Sequence, residues 1–257
     1  MAVDAVTKQV RDQVSAEEWQ KRVDLAACYR LMDLHGMTEL VVNHITTRVP
    51  GEPGSFLINP YGLLYDQMTA SCFIKVNLDG DVLYNPGEFD VNRAGYVIHS
   101  AIHGARHDVD CIIHTHTIAG MAVSAMKCGL LPLAQTSMRF AKIAYHDYEG
   151  VAVNLEERQR LVSDLGDLEG MIMRNHGLLV ACGSIPEAFN SIFRLERACQ
   201  VQVAALSCNT ELVMPPEDLV FETYRGFQPS GRPRPLGMLE WPALLARLDK
   251  LDPTYRD

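Results

Sequence analysis

Between residues 15 and 36 the apolar side chains recur at helical spacing. Val23, Leu25, Ala26, Tyr29, Leu31 and Met32 share one broad face, and Ser15 followed by Glu18 has capping-box spacing. The pattern predicts a helix stopping near Gly36, behind a frayed, polar first dozen residues. A short apolar run at Leu40–Val42 leads into 43–48, NHITTR, and the glycines and prolines of 50–54 force a loop. Phe56–Ile58, Phe73–Asn77 and Val82–Tyr84 read as strands, the last two forming a hairpin around Asp79-Gly80-Asp81.

Asn92–Arg106 returns to helical spacing, with Val97, Ile98, Ala101 and Ile102 inward. Cys111–Ile113 is a short buried strand, and Ile118–Lys127 reads as a helix. Strand candidates follow near Ile143 and Val151, and Asn154 can cap a helix running to about Leu165. Met171–Met173 and Leu178–Ala181 are strand-like, and Ile185–Leu206 is the longest helix. The proline-bearing tail carries a short helix at Trp241–Leu248. Hairpins are present and no strict βαβ rhythm holds. The expected fold class is therefore α/β with a mostly antiparallel sheet covered by helices on both sides.

Composition narrows the classes of function. The 257 residues are 47% apolar and 21% charged, with nine histidines, seven scattered cysteines and a net charge of −9. No basic footprint for nucleic acid or an anionic membrane exists, so neither is expected as a partner. No apolar run approaches the roughly 18 residues of a membrane span, and the start lacks a signal peptide's apolar core. Without a CxxC pair the cysteines read as reduced, mostly buried thiols, and the expected location is cytoplasmic. No Walker loop, GxGxxG or GxSxG elbow occurs.

The histidines are unevenly spread. His114 and His116 stand two apart at the end of an apolar strand, so both imidazoles face one spot. Either they are metal ligands, or one caps the next helix while the other bonds a loop. His176 ends a second apolar strand ahead of Gly177, where a missing side chain lets backbone or substrate approach. His99, His103 and His107 lie at successive helical turns; either His99 and His103 both reach a site above the strands, or a partly exposed helical face, the favoured reading, accounts for them. Glu196 and Arg197 read as a solvated or interface face of the long helix.

Taken in order, NHITTR (43–48), INPYG (58–62), IIHTHT (112–117), YHDYEG (145–150), RNHGLLV (174–180) and ERACQVQ (196–202) resemble the class II aldolase/adducin family. The similarity covers roughly 16–210, which we expect as one domain, with 211–257 an arm packed on it or on a neighbouring subunit. The resemblance implies a three-layer α/β/α fold with a central mixed sheet. It also implies a homotetramer with active sites at subunit interfaces, and one divalent metal per subunit. That metal would sit on His114, His116 and His176, with zinc favoured over iron, manganese or cobalt. The implied chemistry is carbon–carbon cleavage through a metal-stabilised enolate.

The chain departs from the family's sugar-phosphate aldolases. Their acidic residue, nineteen positions before the first metal histidine, falls on Gly95, and His99 one turn later is the candidate replacement. Their glycine–asparagine phosphate loop appears as Asn43-His44, which argues against a phosphorylated substrate. Their protonating tyrosine has no clear match, and the candidates are Tyr145 and Tyr148, or Gln135 in the equivalent stretch. The expected enzyme is a metal-dependent aldolase or decarboxylase acting on a small hydroxy or keto acid or carbonyl compound. Asn43, His44, Arg48 and Tyr61 would bind substrate, and Tyr145 and His99 would act in catalysis. The alternatives are a non-haem Fe(II) oxygenase of aryl-pyruvate-type acids and a non-catalytic, adducin-like assembly module.

Overall fold

The computed structural model describes residues 3–150 and 155–257. In chain order, α1 (Val3–Gln13) and α2 (Ala16–Leu34) precede β1 (His44–Arg48), β2 (Ser55–Ile58), β3 (Ile74–Asn77) and β4 (Val82–Tyr84). Then come α3 (Arg93–Ala105), β5 (Cys111–Thr115), α4 (Ile118–Ser124), α5 (Gln135–Met138), β6 (Ala144–His146) and α6 (Leu155–Leu165). The last elements are β7 (Gly170–Met173), β8 (Gly177–Cys182), α7 (Ile185–Ser207), α8 (Glu217–Phe227) and α9 (Trp241–Leu251).

The strands form one eight-stranded sheet in the order β4-β3-β2-β1-β5-β8-β7-β6. Every neighbouring pair is antiparallel except β6 and β7. Side chains alternate between the faces, and each face has its own helical cover. Ile45, Cys111, Ile113, Ile172, Leu178 and Val180 pack with α2 and α7, and Trp241 and Tyr255 from the tail join them. Ile112, Met171, Met173, Leu179 and Ala181 pack on the other side with Ile98 and Ile102 of α3 and Leu161 and Leu165 of α6. The result is the three-layer α/β/α arrangement.

Local signals act as written in the sequence. The Ser15 hydroxyl accepts the Glu18 N–H at 3.1 Å, Asn92 caps α3, and Ser184 caps α7 ahead of Pro186. Five of the seven thiols are buried, and all seven are free.

Several expectations are corrected. Of the stretch expected to be frayed, Val3–Gln13 forms α1, with Val10 buried in the core, so apolar contact overrides a polar sequence. The Leu40–Val42 run, to which no element was assigned, is a turn, with Leu40 at φ 46° and exposed. The α4 helix ends at Ser124, three residues early, and the tail contains a helix, α8, that its prolines obscured. The strand expected near Val151 and the cap at Asn154 lie outside the described residues. From the tail, Trp241 donates its indole N–H to Asp24, and the Tyr255 and Asp257 carbonyls accept the N–H groups of Ala70 and Ser71.

Candidate metal centre

The site lies at one end of the sheet, where the antiparallel register sets the N-terminal end of β1 beside the C-terminal end of β5. His44 pairs with His114, and Thr115 pairs with Leu178 just after the β7–β8 turn that carries His176. That turn needs unusual backbone. Asn175 sits at φ 54°, a region asparagine tolerates. At Gly177 a Cβ would come within 2.2 Å of the Thr115 carbonyl oxygen, so the glycine serves the close approach of β8 to β5.

His114, His116 and His176 converge. His114 Nε2 is 2.8 Å from His116 Nε2 and 3.2 Å from His176 Nε2. Two of the rings are fixed from behind. His114 Nδ1 lies 3.0 Å from the Leu178 carbonyl, and His116 Nδ1 lies 2.6 Å from a Glu39 carboxylate oxygen. Both partners accept, so each Nδ1 is the protonated nitrogen and each Nε2 presents a lone pair. Two lone pairs 2.8 Å apart repel unless a cation or a proton stands between them. Burial, and then the neighbouring imidazoles, hold His114 well below the usual histidine range and push His176 down to about 4. Of the three, His114 and His176 are thus neutral at physiological pH, the form that ligates a metal. Their ligand atoms lie within 4.8 Å of one another, so the donor set fits a divalent ion.

His44 lies beside this group, its ring centroid 5.1 Å from that of His114. Its Nδ1 is 2.9 Å from His99 Nε2. Gly95 explains how the imidazole fits, because a Cβ there would stand 2.4 Å from His44 Cδ2 and 2.7 Å from Nε2. The space that a side chain at position 95 would need is occupied by His44. His99 therefore sits behind His44 and does not face the site. His99 and His103 are fully buried, which corrects the exposed face expected of them; only His107 is exposed.

Other expected residues fall elsewhere. Arg48, expected at the substrate, stands at the far end of β1. Its guanidinium donates to the carbonyls of His103, Arg106 and Val109, where the end of α3 leaves acceptors unpaired. Tyr145 pairs with Ile172, Ile172 with Leu178 and Leu178 with Thr115, so Tyr145 lies on the opposite face from His114. There its hydroxyl accepts the Leu130 N–H at 3.0 Å. Tyr148 is the tyrosine of that stretch whose ring meets His176, at 6.2 Å between centroids. Asn43 is buried beside His44 with both amide atoms unpaired, and Tyr61 is half-exposed just past β2 at the same sheet end. Glu196 is buried and accepts from Thr117 and Gln200, which corrects the solvated face expected of it. Glu39 escaped sequence reasoning, because its link to His116 spans 77 residues and leaves no local motif.

The family model described as the Class II Aldolase and Adducin N-terminal domain matches residues 23–203. The chain belongs to this family. An aldolase II superfamily protein from Pseudomonas syringae is 48% identical, with a TM-score of 0.90 over 96% of this chain and 99% of that one. The L-fuculose 1-phosphate aldolase from Glaciozyma antarctica PI12 is 28% identical, with a TM-score of 0.82 over 94% of each chain. Rat alpha-adducin is 48% identical over 200 residues, which span 76% of this chain and 27% of that protein. Catalysts and adducins therefore share this family's fold, and the residues at the site decide between their roles.

Proposed function

We propose that the chain is a divalent-metal-dependent lyase cleaving a carbon–carbon bond in a small, non-phosphorylated hydroxy or keto acid or related carbonyl compound. The observation that carries this reading is the convergence of three imidazole Nε2 atoms, two of them on rings whose other nitrogen is bound from behind. His114, His116 and His176 hold the ion, and zinc suits an all-nitrogen set that keeps an open position. When bound, a divalent ion supplies Lewis-acid stabilisation for charge developing on a substrate oxygen as the bond breaks.

The remaining residues bind and orient. His44 faces the same sheet end and contacts the substrate, with His99 acting only through it. Tyr148, beside His176, takes the proton-donor role first assigned to Tyr145. Arg48 is committed to the end of α3, which supports a substrate without a phosphate group. Leu40 and Ile118, flanking Glu39 and His116, are exposed apolar residues, and a homotetramer covering them would close the site between subunits.

The test incubates zinc-loaded protein with a panel of hydroxy and keto acids and follows release of carbonyl products and carbon dioxide. Turnover is expected, lost on chelation and in His114→Ala, and restored to wild-type protein by zinc. Cleavage indifferent to chelation overturns the reading. A zinc-loaded protein that cleaves nothing in the panel favours the assembly role that the likeness to alpha-adducin supports. Oxygen consumption dependent on added iron favours the oxygenase.

A further inference from the structure

Behind the three histidines runs a second line of imidazoles that metal binding does not use. His44 Nδ1 lies 2.9 Å from His99 Nε2, and His99 Nδ1 lies 2.8 Å from Thr46 Oγ1. Thr46 Oγ1 in turn lies 2.9 Å from His103 Nε2. All four side chains are buried, and burial keeps the three rings neutral. The line ends at His103 Nδ1, which is buried without a hydrogen-bond partner.

A neutral imidazole carries one proton and the threonine hydroxyl carries one, so the line can run in either direction. If every proton points away from the metal site, His44 donates to His99, His99 to Thr46 and Thr46 to His103. The last proton then sits on His103 Nδ1 with no acceptor. If every proton points toward the site, His103 donates to Thr46, Thr46 to His99 and His99 to His44 Nδ1. His103 Nδ1 is then a bare lone pair, and His44 carries its proton on Nε2. A third arrangement, with both rings donating to Thr46, strands the hydroxyl proton. Buried donors without acceptors are rarer and costlier than buried lone pairs left unused, so the second direction is favoured. Its free N–H emerges on the Nε2 edge of His44, the edge for which Gly95 leaves room. Among the described residues the cluster of potential metal ligands comprises His114, His116 and His176, without His44.

We propose that His44 is a hydrogen-bond donor to the substrate and not a fourth metal ligand, fixed as the Nε2–H tautomer by the line His103–Thr46–His99. The site then selects compounds that place an oxygen acceptor, whether carbonyl, hydroxyl or carboxylate, beside the three metal-binding nitrogens. His99, Thr46 and His103 are positioning residues. The substrate role rests on the metal-centre reading above, whereas the tautomer rests on the buried line alone.

The test is solid-state nitrogen-15 NMR of zinc-loaded, histidine-labelled protein at neutral pH, with His44 assigned by the signals lost in His44→Gln. The expected spectrum shows His44 protonated at Nε2 and bare at Nδ1. Thr46→Val, which leaves His99 Nδ1 an unused lone pair, should keep that tautomer, whereas His103→Glu, whose carboxylate beside Arg48 accepts the Thr46 hydroxyl proton, should reverse the line and move the His44 proton to Nδ1. A bare or zinc-bound His44 Nε2 in wild-type protein overturns the proposal, and so does an unchanged tautomer in folded His103→Glu. The wild-type spectrum decides the tautomer even if the glutamate variant does not fold. Zinc content measured on the same samples keeps the two claims apart: wild-type protein without zinc contradicts the metal centre and leaves the tautomer result intact.

Discussion

Glycine inside a helix is usually a weakness, and replacing it with alanine gains up to about 1 kcal/mol. Gly95 in α3 should reverse that sign, because the added Cβ would meet the His44 ring at 2.4 Å. Gly95→Ala is expected to cost about 1–3 kcal/mol, the range for overpacking a filled site. In a His44→Ala background the same change should become neutral or stabilising. Urea denaturation of the four proteins checks this, and additive effects would contradict it. Glu39 acts through one hydrogen bond to His116, and Glu39→Gln should weaken zinc binding by about 10–100-fold in competition with a chromophoric chelator. These two residues mark where sequence reading stops. The HxH pair and His176 were legible because strand ends carried them. Glu39 and the His44–Gly95 contact join distant segments, and no local pattern announces either.

At the level of elements, the end of α3 shows how an apparent substrate residue can be structural. Arg48 brings a fork of donors to carbonyls at the C-terminus of that helix and in the turn beyond it. Arg48→Met should lower stability by about 1–3 kcal/mol through unpaired buried acceptors, with zinc affinity unchanged. A loss of zinc affinity without loss of stability would return Arg48 to the site. The strands were readable as alternating or apolar runs, and the long helices as capped periodic stretches. Three helices were not. In α1, α5 and α8 local propensity is weak, and packing on the core decides their conformation. Tyr145 shows the same limit, since its face depends on the register of β6, β7 and β8, which only the assembled sheet sets.

For the molecule as a whole, two helical layers close on one sheet, and the antiparallel register gathers the site at one sheet end. Imidazoles buried in the neutral form have a consequence in acid. Burial, and then Arg48, push His103 down to about 3, against about 6.5 in an unfolded chain. The unfolded state therefore binds the proton first, and stability is lost as pH falls from about 6.5 toward about 3. One such group contributes a slope of about 1.4 kcal/mol per pH unit. His103→Gln should flatten the acid limb of a stability–pH profile by that amount, and an unchanged slope would contradict a neutral buried ring. The fold class was legible in the alternation of elements, but the order of strands was not, because pairing across distant segments leaves no trace in local period. The central claim is the three-histidine metal centre, and the most direct measurement is metal content by mass spectrometry after loading with zinc and removing excess ion. The account predicts about one zinc per chain in wild-type protein, in keeping with a single three-ligand site. In folded His114→Ala it predicts a stoichiometry near zero. Wild-type protein that retains no divalent metal, or a variant that retains as much, would contradict it.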